Sequence, residues 1–134
     1  MTVQFDNLEI AALYQSYPDD VRSKLLALRA MVFDLAAQND EIGTVTECLK
    51  WGTPSYETTR PKSGTPLRLQ WVEKENRFGL FIHCQTNLVS RFKKRHADLV
   101  YDKNRGLLCE RDKDIPAEVA RDFILSALTY YRKS

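Results

Sequence analysis

The sequence predicts an α+β domain in which an antiparallel sheet of about five strands has helices packed on one face. Residues 7–39 carry apolar residues at helical spacing, residues 44–109 contain short segments of alternating apolar and polar residues, and the chain after Pro116 returns to helical spacing. Short polar connections between consecutive strands are typical of antiparallel neighbours. We expect the second face of the sheet to stay open.

Length and composition indicate one domain spanning residues 1–134, with 43% hydrophobic and 28% charged residues. A net charge of +2 is too small to gather nucleic acid or anionic lipid over the whole surface. The N-terminus lacks a secretion signal, and no apolar run approaches the roughly 18 residues of a membrane span. Three widely spaced cysteines fit a reducing compartment. These observations predict a cytoplasmic protein without membrane contact.

Two helices are predicted at the N-terminal end. Asp6 or Asn7 can cap a short first helix, which Pro18 ends. Pro18 also suits the first turn of a second, longer helix that runs to about Asn39. The apolar stripe of this helix is formed by Val21, Leu25, Leu28, Val32 and Leu35.

The centre of the chain predicts strands. Residues 44–51 are rich in β-branched and aromatic types, whereas residues 53–66 contain three prolines and Gly64 and are predicted as a surface loop. Residues 67–72 and 77–84 form a hairpin whose four-residue loop sets its register. In that register Trp71 lies opposite Phe78, Leu69 opposite Leu80 and Arg68 opposite Phe81, which places Arg68, Phe81 and His83 on the open face.

The remaining elements are a helix capped by Thr86 and ending near His96, strands over residues 99–101 and 107–109, and a last helix opened by Pro116. Residues 91–95 are a dense basic run that could contact phosphates. One short patch would bind weakly, so the pattern favours a solvated face and disfavours nucleic acid as a partner.

The segment from Glu47 to Tyr56, with the sequence ECLKWGTPSY, resembles the signature of a bacterial family known as domain of unknown function 1801, or YdhG-like. The order and spacing of Tyr17-Pro18, Phe81-Ile82-His83 and Gly106-Leu107-Leu108 also resemble that family. The resemblance implies a small cytoplasmic α+β domain. Some relatives carry a frataxin-like iron-chaperone label, although the acidic helical ridge usually credited to frataxins is interrupted here by Arg22, Lys24 and Arg29.

Two groups of residues are candidates for a ligand site. Lys50, Trp51 and Tyr56 flank a Gly and Pro turn and could form the wall of a pocket, or they could simply cap the core at a rigid strand exit. Arg68 facing Phe81, with His83 nearby, could bind an anionic or planar ligand. The alternative is a cross-strand cation–π pair with no ligand.

The sequence predicts no metal site and no cofactor. His83 and Cys84 are neighbours on a strand, so their side chains point to opposite faces and cannot hold one metal together. Cys84 is in phase with the apolar residues and is expected to be inert. Cys48 is expected on the open face, but no local pattern pairs it with a histidine base.

The leading expectation is therefore a non-enzymatic binding domain that presents its open sheet face to a small anionic or planar ligand or to a protein segment. Three alternatives stay open: iron carriage, as implied by the family label, an enzyme that uses Cys48 or His83, and weak nucleic-acid binding. A sheet with a mixed face and unpaired edges could also pair with a second copy of the chain.

Overall fold

The computed structural model describes residues 4–60, 62–83 and 85–131. Helices and strands are grouped along the chain and do not alternate one by one, which confirms the predicted α+β class. In chain order the elements are α1 (Leu8–Gln15), α2 (Asp19–Gln38), β1 (Thr44–Lys50), β2 (Thr53–Arg60), β3 (Leu67–Val72), β4 (Arg77–Phe81), α3 (Leu88–Arg95), β5 (Val100–Asp102), β6 (Gly106–Glu110) and α4 (Ala117–Leu128). A single 3₁₀ turn, Glu73–Glu75, connects β3 to β4.

The sheet is antiparallel throughout and has the strand order β1-β2-β3-β4-β6-β5. It contains six strands among the described residues, one more than predicted, because β2 lies in the segment predicted as a loop. Trp51 and Gly52 form a two-residue turn that folds Thr53 back onto Lys50, and threonine and tyrosine then continue the strand. Pro54 is tolerated because β2 pairs with β3 only from Ser55 onward.

The helix boundaries follow from local capping. Asn7 rather than Asp6 caps α1, because its side-chain oxygen accepts hydrogen bonds from the backbone N–H groups of Glu9 at 2.8 Å and Ile10 at 3.3 Å. Thr86 does not cap α3 as predicted, since its hydroxyl donates instead to the His83 carbonyl at 2.9 Å, and the helix begins at Leu88. Within the part of the chain that is described, no helix has the length and apolarity needed to cross a bilayer.

The two faces of the sheet differ sharply. The predicted β3–β4 register is confirmed, with Arg68 opposite Phe81, Leu69 opposite Leu80 and Trp71 opposite Phe78. Leu67, Leu69 and Leu80 are fully buried, and α2 and α4 both pack against β3 on their side of the sheet. The same core takes in Tyr14, Val21, Leu25, Val32, Phe92, Phe123 and Ile124 from the helices. The opposite face holds the candidate site.

Candidate functional site

A row of five residues crosses the open face from β1 to β6. Cys48 pairs with Ser55, Ser55 with Arg68, Arg68 with Phe81 and Phe81 with Gly106. Paired residues of neighbouring strands project to the same side of a sheet. The row therefore brings together residues from five strands. Its first and last members, Cys48 and Gly106, are 58 positions apart in the chain.

Trp51 stands at the tip of the β1–β2 hairpin, at one end of this face. It has a φ of 56° and is followed by Gly52 with a φ of 73°, the combination that a type I′ turn requires. Its side chain is 92% exposed. A bulky aromatic in the left-handed region is uncommon, and Asn or Gly would meet the turn's requirement with less strain. Neither the turn nor the core accounts for a tryptophan here.

Next to this tip lies a cavity of about 250 Å³, which we call the open-face pocket. It brings together Lys50, Trp51, Arg68 and His83, four of the residues that the sequence singled out. Its full lining is Lys50, Trp51, Ser55, Pro66, Arg68, Ile82, His83 and Arg105. Among the described residues no carboxylate lines it, so the wall is predominantly basic.

Two of the basic side chains are paired at the rim of the pocket. The Lys50 ammonium lies 3.0 Å from the Glu57 carboxylate, and the Arg105 guanidinium lies 3.1 Å from that of Asp102. The hydrogen bond that Lys50 donates to Glu57, and then the charge of that carboxylate, raise the pKa of Lys50, so this amine stays charged. Both pairs are solvent-exposed and therefore weak enough to rearrange around an incoming anion.

Cys48 belongs to the same neighbourhood but is not set up as a nucleophile. Its thiol donates to Glu57 across a Sγ–Oε2 distance of 3.5 Å. Burial first, and the Glu57 charge second, raise the pKa of Cys48. The thiolate is the reactive form of cysteine, so this environment disfavours the interpretation of Cys48 as a catalytic thiol.

Ser55 supplies the wall of the pocket with an unsatisfied polar group. Its hydroxyl is fully buried, and within the described residues its nearest partner is the Cys48 thiol, whose pKa it lowers slightly against the larger effects of burial and Glu57. Its cross-strand neighbour Cys48 offers only a thiol, a weak partner at best. A buried hydroxyl without a good partner is costly, and this hydroxyl is closed to a ligand because it has essentially no accessible surface.

Phe81 does not serve as the exposed stacking surface that the sequence suggested. The side chain is only 4% exposed, and its ring lies so close to Gly106 that a Cβ there would approach two ring carbons to 2.7 Å. The Arg68 guanidinium carbon is 6.0 Å from the ring centroid, at the outer limit of a cation–π contact. Phe81 is therefore a buried neighbour of Arg68, and the exposed aromatic residue of the site is Trp51.

His83 lies beyond the end of β4, with its side chain exposed at the pocket. Its Nδ1 accepts a hydrogen bond from the backbone N–H of Gln85 at 3.0 Å. The neutral ring consequently carries its proton on Nε2 and can donate to a ligand oxygen.

Tyr56 does not belong to this site, which corrects its assignment from the sequence. It alternates with Ser55 along β2, so its side chain points to the helical face and is fully buried. There its hydroxyl donates to Glu47 at 2.7 Å and, with that proton committed, accepts from Tyr14 at 2.7 Å. Burial is the main cause that raises the pKa of Tyr56. The residue is structural.

Sequence reasoning missed Ser55 and Arg105. Ser55 lay in the segment predicted as a loop, although its alternation with Tyr56 could have indicated a strand. Arg105 falls between the predicted strands over residues 99–101 and 107–109, and only the pairing of β6 with β4 brings it to the pocket. Cys84 lies outside the described residues, within which no group of three or more His, Cys, Asp or Glu side chains is placed to hold a metal ion.

The basic run on α3 is partly neutralised. Arg95 lies 3.2 Å and His96 lies 2.8 Å from the carboxylate of Asp122 on α4. The Lys93 ammonium is 5.3 Å from the centroid of the Tyr101 ring. These contacts give the run a role in fastening α3 to its neighbours.

The fold and the site together define an α+β protein with a small basic pocket on the sheet face opposite α2 and α4. Comparisons of the chain with protein-family models, curated proteins and solved structures found no match. The resemblance to the YdhG-like family therefore stays a prediction, and the shape and charge of the pocket are the guide to its ligand.

Proposed function

We propose that this protein is a binding module that holds a small planar anion in the open-face pocket. The observation that carries the proposal is the lining itself: Lys50, Arg68, His83 and Arg105 converge beside the exposed Trp51. Convergent polar groups in a concave site are the usual mark of small-molecule recognition.

Each part of the pocket has a role in this proposal. Arg68 reads the anionic group, because a guanidinium presents a planar fork of donors to a carboxylate or phosphate. Trp51 stacks on the planar part of the ligand from the hairpin tip. A cavity of about 250 Å³ accommodates one ring system with its acidic substituent and no polymer.

The proposal concerns binding only. The raised pKa of Cys48 does not support thiol chemistry at this site, and no other nucleophile is paired with a base in the pocket lining described. Membership of the YdhG-like family, a cytoplasmic location and pairing with a second copy stay predictions.

Fluorescence can test the proposal because the chain contains two tryptophans, Trp51 and Trp71. In a Trp71→Phe variant Trp51 is the sole reporter, and we would titrate it with benzoate, adenosine 5′-monophosphate and inorganic phosphate. A planar anion should quench Trp51 saturably. Arg68→Ala should weaken that binding at least about tenfold, since hydrogen bonds to charged groups contribute about 1.5–3 kcal/mol.

Arg121→Ala is the matched control, because this arginine is exposed on α4, away from the pocket lining. The proposal is rejected if neither planar anion quenches Trp51, or if Arg68→Ala and Arg121→Ala behave alike.

A further inference from the structure

A second and larger concavity lies at the end of the sheet, on the other side of the Trp51 hairpin. Its volume is about 810 Å³, within the range of about 300–1,000 Å³ common for ligand sites. Gly52 and Thr53 contribute to this cavity, while Lys50 and Trp51 contribute to the open-face pocket. We call it the polar cleft, and its further walls come from Tyr17, Gln70, Trp71 and Asn76.

The polar cleft differs from the open-face pocket in charge. Its charged lining residues among those described are Glu73 and Arg111, one of each sign. The Arg111 guanidinium is already committed, because it donates to both carboxylate oxygens of Asp20 at 2.9 and 3.0 Å. An electrically balanced cleft favours an uncharged ligand.

Four neutral side chains of the cleft are hydrogen-bonding groups without a partner in the part of the chain that the structure describes. Within the described residues the hydroxyls of Tyr17 and Thr53 and the amides of Gln70 and Asn76 make no hydrogen bond. Thr53 is nevertheless only 7% exposed, and burial raises the pKa of Tyr17 to about 12, so both hydroxyls lie in partly desolvated positions. Each of these four groups can both donate and accept.

We propose that the polar cleft binds a neutral sugar, as a short oligosaccharide. A pyranose ring offers adjacent hydroxyls that donate and accept at once, which matches the amides of Gln70 and Asn76 and the hydroxyls of Tyr17 and Thr53. Its C–H face is apolar and electropositive, so it suits the accessible part of the half-buried Trp71 indole, whose ring centroid lies 5.7 Å from the guanidinium carbon of Arg111. An anion could only accept from these four groups and would leave their acceptor oxygens unused, whereas a sugar hydroxyl both donates and accepts.

The experiment uses a Trp51→Phe variant, in which Trp71 is the sole tryptophan. We would titrate it with maltotriose and with cellotriose, and use glycerol as a polyol without a ring. We expect one of the trisaccharides, but not glycerol, to change the Trp71 emission saturably. Saturation-transfer NMR on wild-type protein should then show contact with the ring C–H protons of that sugar.

Two substitutions remove the proposed hydrogen bonds with little effect on the fold. Asn76→Gly keeps the left-handed turn, since Asn76 has a φ of 57°, and Gln70→Ala removes a half-buried amide. Each should weaken sugar binding about threefold or more, as expected for the loss of neutral hydrogen bonds. Arg68→Ala should leave sugar binding unchanged, which separates this proposal from the one for the open-face pocket.

The proposal is overturned if neither trisaccharide perturbs Trp71, if glycerol acts as strongly as the sugars, or if the double variant Gln70→Ala with Asn76→Gly still binds like its parent. It is also overturned if Arg68→Ala abolishes the response, because the sugar would then occupy the open-face pocket.

Discussion

A residue that is poorly suited to its backbone conformation is the clearest sign of function in this molecule. Trp51 occupies a left-handed position that Asn or Gly would fill at lower cost, and it leaves its ring in solvent. Residues in sparsely populated conformations are often retained at binding sites, where another requirement outweighs stability. Trp51 combines this strain with a place beside three cationic side chains.

Trp51→Asn should therefore stabilise the protein while it removes stacking. Asn-Gly is the preferred pair for a type I′ turn, and we expect the free energy of unfolding to rise by about 1 kcal/mol. Urea denaturation of the variant and the wild type measures the difference. Trp51→Phe retains the strain and is the control, so a gain of equal size in both variants, or no gain in Trp51→Asn, would contradict the argument.

The buried polar network beneath β1 shows how residues that attract attention in a sequence can be structural. Arg29 is 2% exposed, donates to Glu47 through Nε and a terminal nitrogen, and lies with its guanidinium carbon 3.8 Å from the Phe5 ring centroid. Burial opposes the charged guanidinium, but hydrogen bonding and charge from Glu47 outweigh it and raise the pKa of Arg29. Tyr56 completes this network, which explains its presence in the motif without any ligand.

At the scale of elements, local pattern predicted the β3–β4 hairpin and failed for β2. The hairpin was predictable because alternation on both strands and a short polar loop leave one register that buries the aliphatic side chains. β2 was hidden because Pro54 and the nearby glycine and prolines have the composition of a loop, whereas strand pairing on both sides decides its conformation. For the same reason the sequence assigns Tyr56 to the pocket and misses Ser55, because the alternation of side chains along β2 is hidden when this segment is predicted as a loop.

The open-face pocket was accordingly predictable in part. Lys50, Arg68 and His83 follow from alternation along single strands, which a sequence displays directly. The contribution of Arg105, which directly precedes β6, depends on β6 lying beside β4. Phe81, the last residue of β4, and Arg105 are 24 positions apart in the chain. Non-local pairing of this kind leaves no local trace in the sequence.

The packing of β4 against β6 depends on the absence of a side chain at Gly106. Gly106 leaves room for the Phe81 ring, and a Cβ there would lie 2.7 Å from two ring carbons. Gly106→Ala should therefore destabilise the protein by about 1–3 kcal/mol through overpacking. Urea denaturation measures this loss.

A double-mutant cycle with Phe81→Leu is the control for this interpretation. The smaller side chain relieves the clash, so the double variant should lose less stability than the sum of the two single variants. Strictly additive losses would show that Phe81 is not the cause.

At the scale of the whole molecule, ion pairs fasten the start of α2 to the segment after β6. Arg111 binds Asp20 through both carboxylate oxygens, and Lys24 donates to the Lys113 carbonyl at 2.8 Å. The hydrogen bonds from Arg111 lower the pKa of Asp20 to about 2. This pKa lies below its ordinary value of 3.8, so the pair contributes stability above about pH 4 and loses it as the pH falls toward 2.

Asp20→Asn should consequently lower the urea midpoint near neutral pH, and its difference from wild type should shrink toward zero as the pH falls through about 2. The effect should be modest because the carboxylate is exposed. Urea midpoints measured across this range for Asp20→Asn and for Asp98→Asn, an exposed control outside any described ion pair, test the assignment. A difference that persists unchanged in acid would contradict it.

The Arg29–Glu47 pair has a consequence for how copies of this protein meet. β1 is an outermost strand of the sheet, seven residues long, and Glu47 sits at its centre with its carboxylate turned inward. Natural sheets discourage the addition of foreign strands by inward-pointing charges and by irregular pairing at their edges. β1 has both, because its register with β2 also shifts between Thr44 and Val45. The Glu47 carboxylate, which pairs with Arg29 in the interior, therefore also disfavours the addition of strands from other copies to β1 and the fibre growth that such addition would start.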